Sequence, residues 1–306
     1  MARYKLQDSV WFIFGETIKI YISNFFKYTT YMAFPILGQL FGIIWVFAST
    51  FVLTDNFEYV AAKFPALNDY PSFMLAVLLL ALPGLMLFIA AFWQFLIAYG
   101  ALNSMTEGAL SSGHVYDFAA HKELIIRRTP KYIGLWLLYS IFVALASFPL
   151  LWVLGGIFFI YFILIFQVFT FEEDLSVGGY FRKSFDLIRG NFARTVALVL
   201  ILVVLTFYLI PMGFNVVLDI LNLRNLLTDA IIPFVSNLPL DSYNQMFSTL
   251  NIPPVTPDML AKSILEQSVF LVAFGFTLPV RSICWTLWYK ILGEKKDKKS
   301  SKKSGK

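Results

Sequence analysis

Two histidines, His114 and His121, stand seven residues apart with Asp117 between them. On a single helix that spacing brings both imidazoles to one face. A zinc site needs three or four ligands, and no further Cys, Asp or Glu completes a set here. The pair therefore reads as two polar residues at a membrane surface, with no metal and no other cofactor expected. The chain carries no phosphate loop, nucleotide fingerprint or GxSxG elbow. Its scattered carboxylates fall into no acid–base motif, so no catalytic residue is assigned and a non-enzymatic role is expected.

Arg281 is the one basic residue deep within an apolar run. Ionisable groups in hydrocarbon are costly and mark pairing or function. It lies about nine residues, or roughly 13 Å, from Lys290 along a helix. Three readings stay open: it extends to the polar layer, it pairs with Glu172, Glu173 or Asp174, or it holds a lipid phosphate or other anion. Arg182, Lys183, Arg189 and Arg194 join it as candidates for contact with anions or lipid headgroups. Gln39, Gln94, Gln167 and Asn215 are single polar residues in otherwise apolar stretches. Interhelical hydrogen bonds of about 0.6–2 kcal/mol account for such residues. A substrate path would require them to converge.

The elements that must position these groups are membrane helices. Only 14% of the 306 residues are charged and 58% are hydrophobic, against about 25% charged in soluble domains. A spanning helix needs about 20 mostly apolar residues. Six stretches qualify: 30–53, 73–99, 132–152, 155–171, 194–218 and 265–289. The third and fourth are separated only by LGG at 154–156, a tight hairpin. Pro83, Pro149, Pro211 and Pro279 fall inside spans, where proline is tolerated and kinks the helix. The single cysteine, Cys284, permits no intramolecular disulfide. The N-terminal sequence has no charged region followed by an apolar core and small-residue cleavage site, so no cleaved signal peptide is expected.

Lys and Arg number 4, 4, 4 and 8 in segments 1–29, 100–131, 172–194 and 290–306. Segments 54–72 and 219–262 hold 1 and 2, with acids in excess. The positive-inside rule then places both termini in the cytoplasm. The net charge of +5 comes from the lysine-rich end, so nucleic acid is not an expected partner. Residues 293–306 read as a disordered basic tail drawn to anionic lipid. The 219–262 loop is long, Pro-rich at 252–257 and partly apolar at 226–235. A short surface helix and an outer-face partner are both compatible with it.

Residues 175–194, LSVGGYFRKSFDLIRGNFAR, lie between two spans. Val177, Phe181, Phe185, Ile188 and Phe192 recur at spacings of four, four, three and four, one face of an α-helix. Ser176 suits the N-cap and Gly190-Asn191 the stop. The expected helix lies in the cytoplasmic headgroup layer, aromatic side down and basic side in water. The segment DSVWFIFGETIKIYISNFFK matches it at an offset of 167 residues: Phe14 on Phe181, Ile18 on Phe185, Tyr21 on Ile188, Asn24-Phe25 on Asn191-Phe192. A weaker copy lies at 113–131, with Val115, Phe118, Ala119 and Ile125–Ile126 on its apolar side. The expected architecture is all-α and integral to the membrane. Three parallel units of interfacial helix plus helical hairpin, about 6–99, 113–171 and 176–290, form one domain over 1–292.

The run FQVFTFEEDLSVGGYFRKSFDLIRGNFART resembles a signature of a prokaryotic membrane family, the glycerophosphoryl diester phosphodiesterase membrane domain, DUF975 and YciC-like proteins. Ser184, Phe185, Gly190, Asn191 and Phe192 carry the match. The run TLWYKILGEKK is similar to the family's closing segment at Thr286, Leu287 and Tyr289, and departs from it at Lys290, where the family has Asp. The resemblance is specific over about 40 residues and implies a fold and a place in the plasma membrane. Some relatives carry a phosphodiesterase domain after the membrane part, which this sequence does not show, and no catalytic residue transfers.

The expected function is that of an accessory or scaffold protein organising lipid and membrane partners in envelope maintenance. Three amphipathic helices at one leaflet suit binding to anionic lipids on that face, and a membrane-protein partner is compatible with this. The alternative is a small-solute or lipid permease, which requires Gln39, Gln94, Gln167 and Arg281 around one polar cavity. A lipid-modifying enzyme would instead cluster groups such as His121 and Glu172–Asp174 at one interface.

Overall fold

The computed structural model describes residues 9–115, 118–236, 238, 240, 244–245 and 253–304, with side chains throughout except at 52, 55 and 297–304. Among the described residues the fold is helical, with no strand. Six stretches are long and apolar enough to cross a membrane: Phe25–Phe51, Tyr70–Ser112, Thr129–Ala146, Pro149–Phe171, Phe192–Ile220 and Pro257–Lys296. They overlie the six expected from the sequence. The protein is an all-α, multi-pass membrane protein.

Helix α1 (Val10–Ser23) stops at Asn24 and the chain resumes as α2 (Phe25–Asp55). A short α3 (Phe57–Lys63) leads to α4 (Tyr70–Ser112). Asp69 accepts a hydrogen bond from the Ser72 N–H at 3.0 Å at the start of α4. That bond holds the Asp69 carboxyl below the usual carboxylate range. Two helices follow, α5 (Phe118–Ile126) and α6 (Thr129–Ala146). The fourth span is α7 (Trp152–Phe162) and α8 (Ile165–Phe171). Helix α9 (Val177–Ile188) has Ser176 as its N-cap, accepting from the Gly179 N–H at 3.2 Å. Gly190 follows it with φ 86°, a left-handed turn that favours glycine. Next come α10 (Phe192–Val203), α11 (Ile210–Ile220), α12 (Leu223–Ser236), α13 (Pro257–Phe276) and α14 (Leu278–Ser304).

Several boundaries differ from expectation, each for a backbone reason. The third and fourth spans do not turn at LGG. The reversal is at Ser147–Leu151, where Pro149 opens a 3-10 turn, and Gly155-Gly156 lie inside α7. Proline cannot continue the preceding helix but fits the first turn of the next. Pro211 is accommodated by a π-helical turn at Val204–Leu209 ahead of α11. The sixth span breaks at Thr277, two residues before Pro279, into α13 and α14. The backbone stays helical through Ser304, along the tail expected to be irregular. Lys and Glu are good helix formers, and no proline interrupts them.

The chain divides into two compact units. The first holds the residues to Met32, Gln94–Leu205 and those from Phe276 onward; the second holds Ala33–Trp93 and Thr206–Gly275. In the first, α14 is the central helix. Val280, Ile283, Cys284, Trp285, Leu287, Trp288, Ile291 and Leu292 are all buried, as befits the first half of the helix, which is largely apolar. Helices α1, α8 and α9 pack on it. Helix α1 buries Ile13, Thr17 and Ile20, and Asn24 is buried at its C-cap, a stripe beside the Phe14–Ile18–Tyr21 face. Helix α9 does not hold its aromatic face free for lipid. Phe181 meets Phe142 and Phe162 at ring distances of 5.5 and 5.0 Å, and Phe185 stacks on Tyr161 at 4.5 Å. A lipid tail and a protein ring are equally apolar, so the same pattern serves either neighbour.

In the second unit, α2 and α4 cross at small residues. A Cβ added at Gly42 would sit 2.7 Å from the Gly84 carbonyl oxygen and the Phe88 nitrogen, and one at Gly38 would sit 2.7 Å from Ala91 Cβ. Gly38 and Gly42 form a GxxxG pair, the spacing that lets membrane helices approach backbone to backbone. The Trp45 indole N–H reaches across to the Leu80 carbonyl at 2.9 Å. Gly42→Leu is therefore expected to destabilise the protein by about 1–3 kcal/mol or more through overpacking against backbone. Gly156→Ala, which meets nothing within 4 Å, should be neutral or slightly stabilising. Equilibrium unfolding in detergent measures both; equal stability of G42L and wild type would refute the close crossing.

Candidate functional site

The polar residues of the first unit gather at Asn103 on α4. Its side-chain oxygen accepts hydrogen bonds from Gln167 Nε2 at 3.0 Å, Ser282 Oγ at 2.6 Å and Thr286 Oγ1 at 3.3 Å. Its amide donates to Thr170 Oγ1 at 3.2 Å. All five side chains are buried. One carboxamide thus ties α4, α8 and α14. Gln167 takes the interhelical role expected of it. Asn103 was not anticipated, because the second span was expected to end at 99 while α4 runs on to Ser112; Ser282 and Thr286, inside the expected sixth span, were not singled out as polar partners. The signal was present as a polar pair, Asn103-Ser104, inside an uninterrupted helical stretch.

Arg281 sits next to Ser282 on α14. Its guanidinium lies beside Tyr99 and Tyr139 and donates a hydrogen bond to the Tyr99 hydroxyl. The Tyr99 ring packs edge-on against Trp136 at 5.1 Å and tilted against Phe166 at 5.2 Å. Of the acids expected near Arg281, Glu172 is engaged elsewhere and Glu173 and Asp174 are exposed.

Glu172, at the end of α8, anchors an open recess of about 400 Å³ lined by Lys183 and Leu187 from α9 and by Tyr289, Lys290, Gly293, Glu294 and Lys296 from α14. One carboxylate oxygen of Glu172 takes Lys183 Nζ at 3.1 Å and the Tyr289 hydroxyl at 3.0 Å. Lys290 pairs with Glu107 at 2.5 Å and lies over the Phe171 ring at 5.2 Å. Tyr289 stacks on that same ring at 5.3 Å. The Trp288 indole N–H donates to Thr195 Oγ1 at 3.0 Å, fixing the register of α14 against α10. Three ammoniums and one phenol therefore converge on a cavity that also presents two carboxylates. Such a set can bind a phosphate by charge-assisted hydrogen bonds. Of the basic residues expected at a headgroup site, Lys183 lines this recess. Arg182, Arg189 and Arg194 are exposed on α9, its C-terminal turn and α10, and Arg281 lies apart with its tyrosines. Lys290 and Lys296 were missed as site residues, although Lys290 marks the departure from the resembled closing segment.

A second polar hollow, lined by Glu123, Arg127, Arg128 and Glu173 among others, is mainly structural. Arg128 donates to the Phe169 carbonyl at 2.7 Å and the Thr170 carbonyl at 3.3 Å, satisfying the last turn of α8. Its guanidinium also covers the Phe169 ring at 4.4 Å. The histidines do not share a helix, because α5 starts after His114, past the left-handed Gly113. His121 Nδ1 is 2.8 Å from Ser104 Oγ, and His114 is exposed; Asp117 lies outside the described residues. In the second unit Gln39 donates to the Pro35 carbonyl of its own helix at 2.5 Å. Asn215 accepts from Arg224 at 3.1 Å. Gln94 is half-buried on α4 in the first unit.

Asn103→Ala strips the acceptor from Gln167 and Ser282 in a buried setting, and each orphaned donor costs about 1–3 kcal/mol. A destabilisation of about 2–4 kcal/mol is expected. Unfolding in mixed detergent reads it, and a loss under 0.5 kcal/mol would show that the Asn103 cluster does not hold α4, α8 and α14 together.

No family model, no curated protein and no solved structure matches this chain.

Proposed function

We propose that this membrane protein is a non-enzymatic accessory or scaffold of the cytoplasmic membrane, which organises phosphate-bearing lipid and membrane partners in envelope maintenance. Its termini and the helices α1, α5 and α9 lie on the cytoplasmic side in this reading, following the Lys and Arg distribution. The observation that carries the proposal is the recess of Lys183, Tyr289, Lys290 and Lys296, with Arg182 and Arg189 exposed on α9 and its C-terminal turn. An open recess with ammoniums and a phenol on its wall suits a headgroup entering from the leaflet. The family resemblance at Ser184–Phe192 agrees with the location and adds no chemistry.

The permease alternative needs a polar path. In this structure Gln167 is bonded to Asn103, and Gln39 to its own helix. Those partners support the scaffold reading, because polar groups already bonded to one another are poorly placed to hand a solute along.

The test is native extraction into lipid nanoparticles, with mass spectrometry of co-purifying lipid and protein. Wild type is expected to enrich an acidic phospholipid and to bring a stoichiometric membrane partner. The triple variant Arg182→Gln/Arg189→Gln/Lys296→Gln should lose that lipid enrichment by roughly tenfold or more, at about 1 kcal/mol per basic side chain near the surface. Bulk lipid composition around both proteins, with no partner, would overturn the proposal. Vectorial uptake of a solute by reconstituted vesicles would replace it with the permease.

A further inference from the structure

Helix α12 has three distinct sides. Leu223, Leu226, Leu227, Ala230 and Phe234 recur at spacings of three, one, three and four, so they share one face. That face is open: Leu226 is 63% exposed, Phe234 47%, Leu223 37% and Leu227 36%. Thr228 and Val235 are buried and, with half-buried Arg224, form a second side that packs on protein. Asn225, Asp229 and Ser236 are exposed and polar, and they form a third. At 3.6 residues per turn the three sides stand roughly a third of a turn apart. A helix in bulk water has no use for an exposed apolar side, and a spanning helix has no use for a wet one. Only a helix lying along an interface, against a protein wall, needs all three.

The attachment of α12 fixes its depth and orientation. The fifth span ends at Ile220 and α12 begins at Leu223, so only Leu221 and Asn222 separate them. Asn222 has φ 52°, a left-handed conformation that asparagine tolerates better than most residues. It turns the chain out of the span. Arg224 then clamps the first turn of α12. It donates to Asp219 at 2.5 Å and Asn215 at 3.1 Å on α11, and lies 3.5 Å from Glu266 on α13. The open apolar side continues the exposed surface at the end of the fifth span, where Ile220 is 77% and Leu221 59% exposed. Lipid covers that span, and the same lipid boundary reaches α12 within one turn.

We infer that α12 is an interfacial helix, with Leu223, Leu226, Leu227, Ala230 and Phe234 inserted among the lipid acyl chains at the membrane face reached by the fifth span. Its insertion is apolar in character. The charged residues of α12 are Arg224, held in the clamp, and Asp229 on the wet side. Within α12 itself no basic rim faces headgroups, so its binding is insensitive to lipid charge and salt. This inference rests on the six spans and is independent of the scaffold role.

The test uses the full chain in nanodiscs, with single nitroxide labels at Leu226→Cys, Phe234→Cys, Asn225→Cys, Asp229→Cys and Val235→Cys. Cys284 is buried, so labelled wild type serves as the blank. Collision with dissolved oxygen is compared with collision with a water-soluble nickel chelate. At 226 and 234 oxygen is expected to dominate, at 225 and 229 the nickel chelate, and at 235 both are weak. The same pattern is expected in neutral and in acidic bilayers. Nickel dominance at 226 and 234 would put the apolar side in water and overturn the inference. Shielding of 226 and 234 from both agents would put a protein or a second copy there, and would overturn it equally. A pattern present only in acidic bilayers would refute its apolar character.

Discussion

The carboxamide of Asn103 is the point on which the first unit depends. In hydrocarbon every polar group must find its partner within the protein, because water and lipid offer none. Asn103 answers this for Gln167, Ser282, Thr286 and Thr170 at once. The same bonds fix which residues of α4, α8 and α14 stand opposite one another. Apolar packing alone would leave that register weakly specified, since leucine against leucine differs little from leucine against lipid. The central position of α14, the docking of α1 and α9 on it, and the presentation of Tyr289 and Lys290 beyond it all follow from a register set one turn away.

Away from that buried cluster, charge takes over as the organising force. Glu172 gathers Lys183 and Tyr289, Glu107 holds Lys290, and Arg128 closes the carbonyls at the end of α8. These contacts are half-exposed, so each contributes modestly to stability. Their larger consequence is spatial, because they hold ammoniums and a phenol around an open recess. Aromatic rings set the same parts from below: Phe171 lies under both Tyr289 and Lys290. The second unit uses different means. Gly38, Gly42 and Gly84 let α2 and α4 meet at backbone distance, and Arg224 fastens α12 to α11 and α13.

Arg281 shows how a cation is tolerated within such a bundle. It is set beside phenols, with Tyr99 as a hydrogen-bond acceptor and Tyr139 adjacent, and aromatic rings surround those phenols in turn. The arrangement solvates the guanidinium locally. It also keeps Arg281 out of the recess where Lys183 stands, so the basic residues expected to contact anions divide between two settings.

The sequence by itself determined the membrane class, the six spans and the start and stop of α9. Those depend on consecutive residues: about 20 apolar positions in a row, a serine at an N-cap, a glycine that accepts positive φ. The sequence also marked the short helices ahead of the first, third and fifth spans. It left the choice of buried side to the tertiary structure. Helix α1 buries Ile13 and Thr17 where Phe14 and Ile18 were the expected face, and α9 spends its phenylalanines on α6 and α7. A pattern of apolar residues cannot distinguish a lipid neighbour from a protein one. The Asn103 cluster and the recess were likewise decided only by the fold. The Asn103 cluster joins residues 64 to 183 positions apart, and the recess brings Tyr289 to Glu172 across 117; no local rule of spacing connects side chains over such distances.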